Sequence, residues 1–305
     1  MRLVRDPVDM GSCVLVLGMF DGVHRGHQAL LMTGHELAAR YGVPLHVCTF
    51  DPHPLQVLRP GNAPMLLTTL PERAQLMATF GVDALCVHTI TRKVAAQEPE
   101  AFLDQLERVY RPVAIVAGFN YSFGARGRGN GDMLQAWGAA HDCEIAIVPK
   151  VEIGGDSVSS TRIRGLLKDG DVRGAARLLG HGYTLSGSVV NGKRIGRTIG
   201  YPTANVSIPA GKALPAYGVY ACWLEDGEGA HAAVVNIGRH PTLPEGAVTV
   251  EAHVLDHSLN LYGRKVRLTL LHFQRPERTF ADVDALKKQI TQDAEDARAW
   301  FAALQ

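Results

Sequence analysis

The chain has 305 residues, with 31 Lys and Arg against 30 Asp and Glu, a formal net charge of +1. At about 100–200 residues per domain this length predicts two domains. The apolar fraction of 46% excludes a disordered chain, and the balanced charge excludes broad electrostatic capture of duplex nucleic acid or of an anionic membrane. Any polyanionic substrate therefore has to be held by local devices.

The first ten residues, MRLVRDPVDM, include acids and lack an apolar core, so they do not read as a signal peptide. Cys13–Leu17 (CVLVL) reads as a buried strand, followed by a glycine-rich turn and a helical pattern through Ala29, Leu30, His35, Leu37 and Ala38. Strands are then expected at Pro44–Phe50, Ala84–His88, Val113–Ala117 and Glu144–Val148, with helices at Thr69–Phe80, Pro99–Val109 and Met133–His141 between them. Continuous β-branched runs alternating with helices predict a parallel sheet covered on both faces, an α/β fold of the Rossmann-like kind that binds ligands beyond the carboxyl ends of its strands.

From about residue 184 the pattern changes. TLSGSVV, GVYACWL, HAAVVNI, VTVEAHVL and KVRLTLLHF are short runs, several alternating with period two, separated by turn residues. They predict a small antiparallel β-barrel. Val283, Leu286, Ile290, Ala294, Ala297, Phe301 and Leu304 mark one apolar face of a terminal helix. The expected domains are 1–183 and 184–305. Five cysteines, Cys13, Cys48, Cys86, Cys143 and Cys222, show no CxxC pair and read as small core residues of a cytoplasmic protein. No apolar run reaches the length of a membrane span.

The string Gly18-Met19-Phe20-Asp21-Gly22-Val23-His24-Arg25-Gly26-His27 stands between the first strand and the first helix. Its glycines allow a sharp turn and close approach of a phosphate, and a helix start offers free N–H groups to that anion. His24 and His27, three apart, are expected on one helix face, donating hydrogen bonds to phosphate oxygens as charge builds during transfer. Capping or core packing is the ordinary role of a single histidine here, and a metal site lacks a nearby third ligand.

This string resembles the HxGH motif of the nucleotidyltransferases, in the FDGVHxGH form of the bacterial bifunctional riboflavin kinase/FMN adenylyltransferase family, also called FAD synthetases. Thr49-Phe50-Asp51-Pro52-His53-Pro54, Gly118-Phe119-Asn120-Tyr121-Ser122-Phe123-Gly124 and Ser159-Ser160-Thr161-Arg162-Ile163-Arg164 match that family's further motifs, with Tyr121 where Phe is usual and Asn130 where Asp follows the basic loop. The resemblance implies a nucleotide and phosphate site from Gly18, Phe20, Asp21, Gly22, His53 and Asn120. Ser160 and Thr161 at a helix start, with Arg164 one turn on, suit a departing pyrophosphate, although simple N-capping explains such hydroxyls equally well. Arg126 and Arg128 in GARGRGNG form either a mobile basic loop or a solvated turn.

In the second half, Gly192, Gly196 and Arg197 precede Tyr201-Pro202-Thr203-Ala204-Asn205. The glycines and Arg197 suit ATP phosphates, and Thr203 and Asn205 offer hard oxygen ligands for Mg2+. This segment resembles the riboflavin kinase signature, and Val235–Thr242, Val250–Asp256, Leu261-Tyr262-Gly263 and Arg275-x-Glu277-x-x-Phe280 complete the likeness, with Tyr201 and His257 standing where Phe is usual. The alternating strand V-T-V-E-A-H-V-L makes Glu251 the expected general base, directed either to solvent or into the barrel mouth. His253 shares its face. The resemblance implies phosphorylation of riboflavin by MgATP to FMN, then adenylylation of FMN by a second ATP to FAD and pyrophosphate, with small-molecule partners only and neither nucleic acid nor membrane. A different HxGH nucleotidyltransferase, or a non-catalytic flavin-binding sensor or carrier, remain the alternatives at this level.

Overall fold

The computed structural model describes residues 1–191, 201–239, 248–257 and 259–304. Contacts divide the chain into two units, Met1–Ser160 and Thr161–Gln305.

The first unit contains β1 (Arg2–Arg5), β2 (Cys13–Leu17), α1 (Arg25–Tyr41), β3 (Leu45–Asp51), α2 (Pro54–Leu58), α3 (Leu70–Thr79), β4 (Ala84–Thr89), α4 (Arg92–Ala95), α5 (Pro99–Tyr110), β5 (Pro112–Gly118), α6 (Gly131–Ala140) and β6 (Glu144–Val148), then a short hairpin of β7 (Glu152–Ile153) and β8 (Asp156–Ser157). β1 to β6 form one sheet in the order β1-β4-β3-β2-β5-β6, every neighbouring pair parallel. The run CVLVL is apolar at every position because both faces of β2 are covered. Cys13, Leu15 and Leu17 pack with α5 and α6 on one side, while Val14 and Val16 pack with α1 and α3 on the other. Gly34 lets α1 approach closely, since a Cβ there would lie 2.7 Å from Leu45 and 2.8 Å from Val16. Strand order reverses at β2 and β5, so their carboxyl ends flank a crevice. The glycine-histidine string leaves β2 there, and Asn120 follows β5.

The second unit begins with α7 (Ser160–Lys168, joined from its second residue on) and α8 (Val172–Leu179), followed by β9 (Tyr183–Val190), β10 (Ala204–Ser207), β11 (Gly218–Glu225), β12 (Ala230–Arg239), β13 (Val248–Val254), β14 (Lys265–Pro276) and α9 (Val283–Ala302). The six strands close into a barrel in the order β10-β13-β12-β11-β14-β9, antiparallel throughout. Alternate residues such as Tyr220, Cys222, Leu224, Val235, Ile237, Val250 and Ala252 are buried. The other face of β11 and β12 carries Val219, Ala221 and Val234, which pack against Ala294 and Ala297 of α9. α7 and α8 also belong to this unit: Ala216 N–H donates to Leu167 O at 2.8 Å, and Gly170 abuts the Phe273 ring.

Four strands escape a reading by pattern, β1, β10 and the two-residue β7 and β8. β1 is an edge strand whose Arg2, Leu3 and Arg5 are exposed, so it carries no apolar run. β10 is only four residues long and begins within the Pro202–Asn205 segment, where oxygen ligands rather than a strand are expected. All five cysteines are buried and free. No helix among the described residues is long and apolar enough to cross a membrane.

Candidate active sites

The loop after β2 is built under strain. Phe20, Gly22 and Val23 have φ of 53°, 89° and 42°, and two of these three residues are not glycine. Left-handed backbone at bulky residues persists where the surroundings over-determine it. Here Phe20 and Val23 are fully buried, and Thr68 ties the turn: its N–H donates to Asp21 Oδ1 at 3.0 Å and its Oγ1 accepts from Gly22 N–H at 2.9 Å. The hydroxyl of Ser160, the last residue of the same unit, donates to the Asp21 carbonyl at 2.9 Å.

His24 and His27 do not share a helix face in the expected way. His24 is the N-cap of α1, and its Nδ1 accepts the His27 backbone N–H at 3.2 Å. The proton of its neutral ring therefore sits on Nε2, which is a donor. The two rings stack at 3.6 Å between centroids, 11° from parallel, with Phe20 at 5.1 Å from His27. Desolvation, reinforced by His24 and Arg73, holds the His27 imidazole well below the ordinary histidine pKa, so it is neutral at pH 7. The pair thus offers neutral donors that cost no charge in the absence of substrate.

His53 repeats this device at the end of the neighbouring strand β3. It caps α2, its Nδ1 accepting from Leu55 N–H at 3.2 Å, and its backbone N–H donates to Gln56 Oε1 at 3.1 Å. Asn120 is exposed beyond β5, in a tight turn closed by Tyr121 N–H on Gly118 O at 2.9 Å. Asn130 caps α6 through its side chain, accepting from Met133 N–H at 3.0 Å, and needs no carboxylate for that task. The basic turn is fastened: Arg128 is paired with Glu98, and Gly124 packs on Pro99. Thr161 is exposed and Arg164 half-buried on α7, one turn apart, both grouped with the second unit. Gly18 closes β2, its N–H donating to Cys48 O at 3.3 Å.

In the second unit, Glu251 lies directly opposite Asn205 of β10 and directly opposite Asn236 of β12. Antiparallel partners share a face, so the three side chains stand in one row. That row is on the outer wall of the barrel, not in its mouth. Neighbours Val250 and Ala252 take the interior positions. A cleft of about 830 Å³ separates this wall from α9, lined by Glu251, Asn236, Thr249 and Thr203 on the barrel side and by Leu286, Ile290 and Ala294 on the helix side. A second cavity of about 70 Å³ is lined by Thr203, Val189, Ala252, Val254, Leu261 and Tyr262. Thr203 is thus common to both.

His253 is anchored to the segment that precedes β10. Its Nδ1 bonds the Pro202 carbonyl at 2.9 Å, and since a carbonyl only accepts, Nδ1 carries a proton. Arg275 forks onto Asp293 with both N–O distances at 2.7 Å, fixing α9 to β14, and Gln289 adds a 2.9 Å bond to the same carboxylate. This clamp joins the matched Arg275 segment to the terminal helix, a link that their separation in sequence conceals. Gly192, Gly196 and Arg197, and the His240-Pro241-Thr242 end of the adjoining motif, lie outside the described residues. Among the described residues no group of three His, Cys, Asp or Glu side chains could hold a metal ion. Thr203 and Asn205 offer a hydroxyl and an amide oxygen, hard donors suited to Mg2+ when phosphate and water complete its shell.

Comparison with known proteins finds relatives for both halves of the chain. A family model described as FAD synthetase matches residues 6–162, and one described as riboflavin kinase matches residues 179–301. The chain is 37% identical to a bifunctional riboflavin kinase/FMN adenylyltransferase of Listeria monocytogenes, over 96% of this chain and 93% of the relative. It is 39% identical to the protein of the same name from Escherichia coli K12, over 95% and 93% respectively. A crystal structure described as a macrolide-efflux protein from Streptococcus pneumoniae superposes with a TM-score of 0.89 at 31% identity, covering 98% of this chain and all of that one.

Proposed function

Because the chain belongs to the family of bifunctional riboflavin kinases/FMN adenylyltransferases, phosphorylating riboflavin with ATP and joining FMN to AMP, we propose how its residues divide these two reactions. The kinase match over residues 179–301 sets aside a nucleotidyltransferase of another specificity.

In the kinase reaction the riboflavin 5′-hydroxyl attacks the γ-phosphorus of ATP, the bond to the bridging oxygen breaks, and ADP leaves. Glu251 accepts the hydroxyl proton. The observation that carries this assignment is the in-register row Asn205–Glu251–Asn236 facing a cleft wide enough for a flat tricyclic ring. Thr203, open to both cavities, marks where the flavin side meets the nucleotide side. Thr203 and Asn205 would hold Mg2+, which when bound neutralises charge on the transferring phosphate. Gly192, Gly196 and Arg197 belong to the phosphate-holding segment by resemblance.

In the adenylyl transfer an FMN phosphate oxygen attacks the α-phosphorus of a second ATP and pyrophosphate departs. His24 Nε2–H and the neutral His27 donate to oxygens on which charge accumulates. Gly18, Phe20, Asp21 and Gly22 shape the turn that receives the phosphates, and His53 and Asn120, beyond the ends of β3 and β5, border the same end of the sheet. Ser160, Thr161 and Arg164 hold the pyrophosphate. By resemblance the division between the two activities is assigned to residues 183 and 184, whereas contacts group α7 from Thr161 on, and α8, with the barrel. Incubation of the purified chain with riboflavin, MgATP and chromatographic detection tests the whole reading: FMN forms first and FAD follows. FAD formation from supplied FMN with no FMN formation from riboflavin would overturn the kinase half.

A further inference from the structure

The segment carrying Thr203 and Asn205 is held from both sides by side chains that touch neither of the two reacting groups. Tyr201 lines the large cleft, and its phenol bonds Thr291 Oγ1 on α9 at 2.7 Å. Thr291 has one hydroxyl proton, already given to Lys287 O at 2.9 Å. Tyr201 is therefore the donor and Thr291 the acceptor. On the other side, the His253 ring meets the Tyr201 ring edge-on at 5.3 Å and donates Nδ1–H to Pro202 O. The result is a continuous chain of contacts, Thr291–Tyr201–His253–Pro202, running from the helix wall of the cleft to the strand that bears Glu251.

The two walls are also joined at the Arg275–Asp293 clamp, a bidentate ion pair with side chains only 13% and 6% exposed. A buried bidentate pair is far stiffer than one neutral hydrogen bond. The helix is thus pinned firmly at Asp293 and lightly, two residues earlier, at Thr291. We propose that Tyr201 and Thr291 form a strap that sets the spacing between α9 and the Thr203 segment, and that both are positioning residues for riboflavin phosphorylation. A flat ring inserted between these walls places its ribityl hydroxyl correctly against Glu251 only when Thr203 is held at a fixed distance from α9. Misplacement by an ångström in such geometry lowers rate and binding without removing any reacting group.

This inference rests on the assignment of the cleft as the kinase site, and the test separates the two. Tyr201→Phe keeps the ring against His253 and removes only the donor. Thr291→Val removes the acceptor together with the hydroxyl's own bond to Lys287 O, and Thr291→Ser restores both. With the full chain and steady-state kinetics of riboflavin phosphorylation, Tyr201→Phe and Thr291→Val each reduce kcat/KM for riboflavin about three- to tenfold, the range one neutral hydrogen bond supports. The double variant falls no further than either single one, Thr291→Ser recovers what Thr291→Val loses, and FMN adenylylation stays constant. Unchanged kinase kinetics in Tyr201→Phe, or losses that simply multiply in the double variant, overturn the strap. Full riboflavin phosphorylation in Glu251→Gln would instead overturn the site assignment itself.

Discussion

Asn205 of β10 and Glu251 of β13 are direct cross-strand partners, so the amide and the carboxylate emerge side by side on the outer wall of the barrel. Glu251→Gln preserves the size of the side chain and its place in the row while abolishing its ability to take a proton. We expect riboflavin phosphorylation to fall by about 10²–10⁴ in kcat, the usual worth of a positioned general base. FAD formation from supplied FMN, measured in the same preparation, should be unaltered. Retained kinase turnover would remove Glu251 from this role.

His24 has two jobs in one ring, and a substitution can separate them. Its Nδ1 caps α1 by accepting the His27 N–H, while Nε2–H is the donor we propose for a phosphate. An asparagine N-cap accepts the same backbone bond. His24→Asn should therefore lower FAD formation by about 10² or more, as loss of one preorganised donor does, with little change in melting temperature. His24→Ala should lose activity and also about 1 kcal/mol of stability with the cap. Riboflavin phosphorylation should be normal in both. Equal adenylylation rates for His24→Asn and the parent protein would show that the ring acts only as a cap.

The parallel sheet is legible in the sequence because β2 and its neighbours are buried on both faces and so read as unbroken apolar runs. β1 is not, since an edge strand with exposed arginines has no such run. β10 hides because Ala204–Ser207 is short and contains Asn and Ser, residues poor in intrinsic strand preference. α8 lies before the expected boundary at 183, and contacts put it on the barrel. The spacing of His24 and His27 correctly joins them, yet it predicts a shared helix face where a cap and a stacked ring are found. The outward direction of Glu251 follows from barrel closure, a long-range property that strand alternation leaves open between two faces.

The Arg275–Asp293 pair is buried and bidentate, with Gln289 and Gln274 bonding to Asp293 as well. Removing one partner leaves the other charge buried without compensation. Asp293→Ala should therefore destabilise the second unit by about 3–5 kcal/mol, read as a lowered thermal transition. Because α9 forms one wall of the cleft, kinase activity should be lost at a lower temperature than adenylyl transfer. Simultaneous replacement of both residues by apolar side chains of similar volume should restore much of the stability and none of the cleft geometry. Activity half-lives on heating, followed separately for FMN and FAD formation, measure this difference.

Burial also gives the first unit a particular response to acid. Desolvation is the leading cause that lowers the pKa of His27, His46 and His88, whereas in the second unit His272 is the described histidine with such a shift. An unfolded histidine titrates near 6.5. Below that pH the unfolded chain binds protons that the folded imidazoles refuse, so stability falls as pH drops, beginning near 6.5 and continuing until each folded pKa is passed. The depressed carboxylates Asp6, Asp9 and Glu144 act in the same direction, but only around and below their ordinary values of 3.8 to 4.5. Between pH 7 and 5 the histidines therefore dominate. Thermal melts across that interval should show the transition of the first unit moving down more than that of the second. His46→Phe, which keeps an aromatic ring and removes the proton site, should flatten the dependence of the first transition on pH. An unchanged slope in that variant would assign the acid sensitivity to other groups.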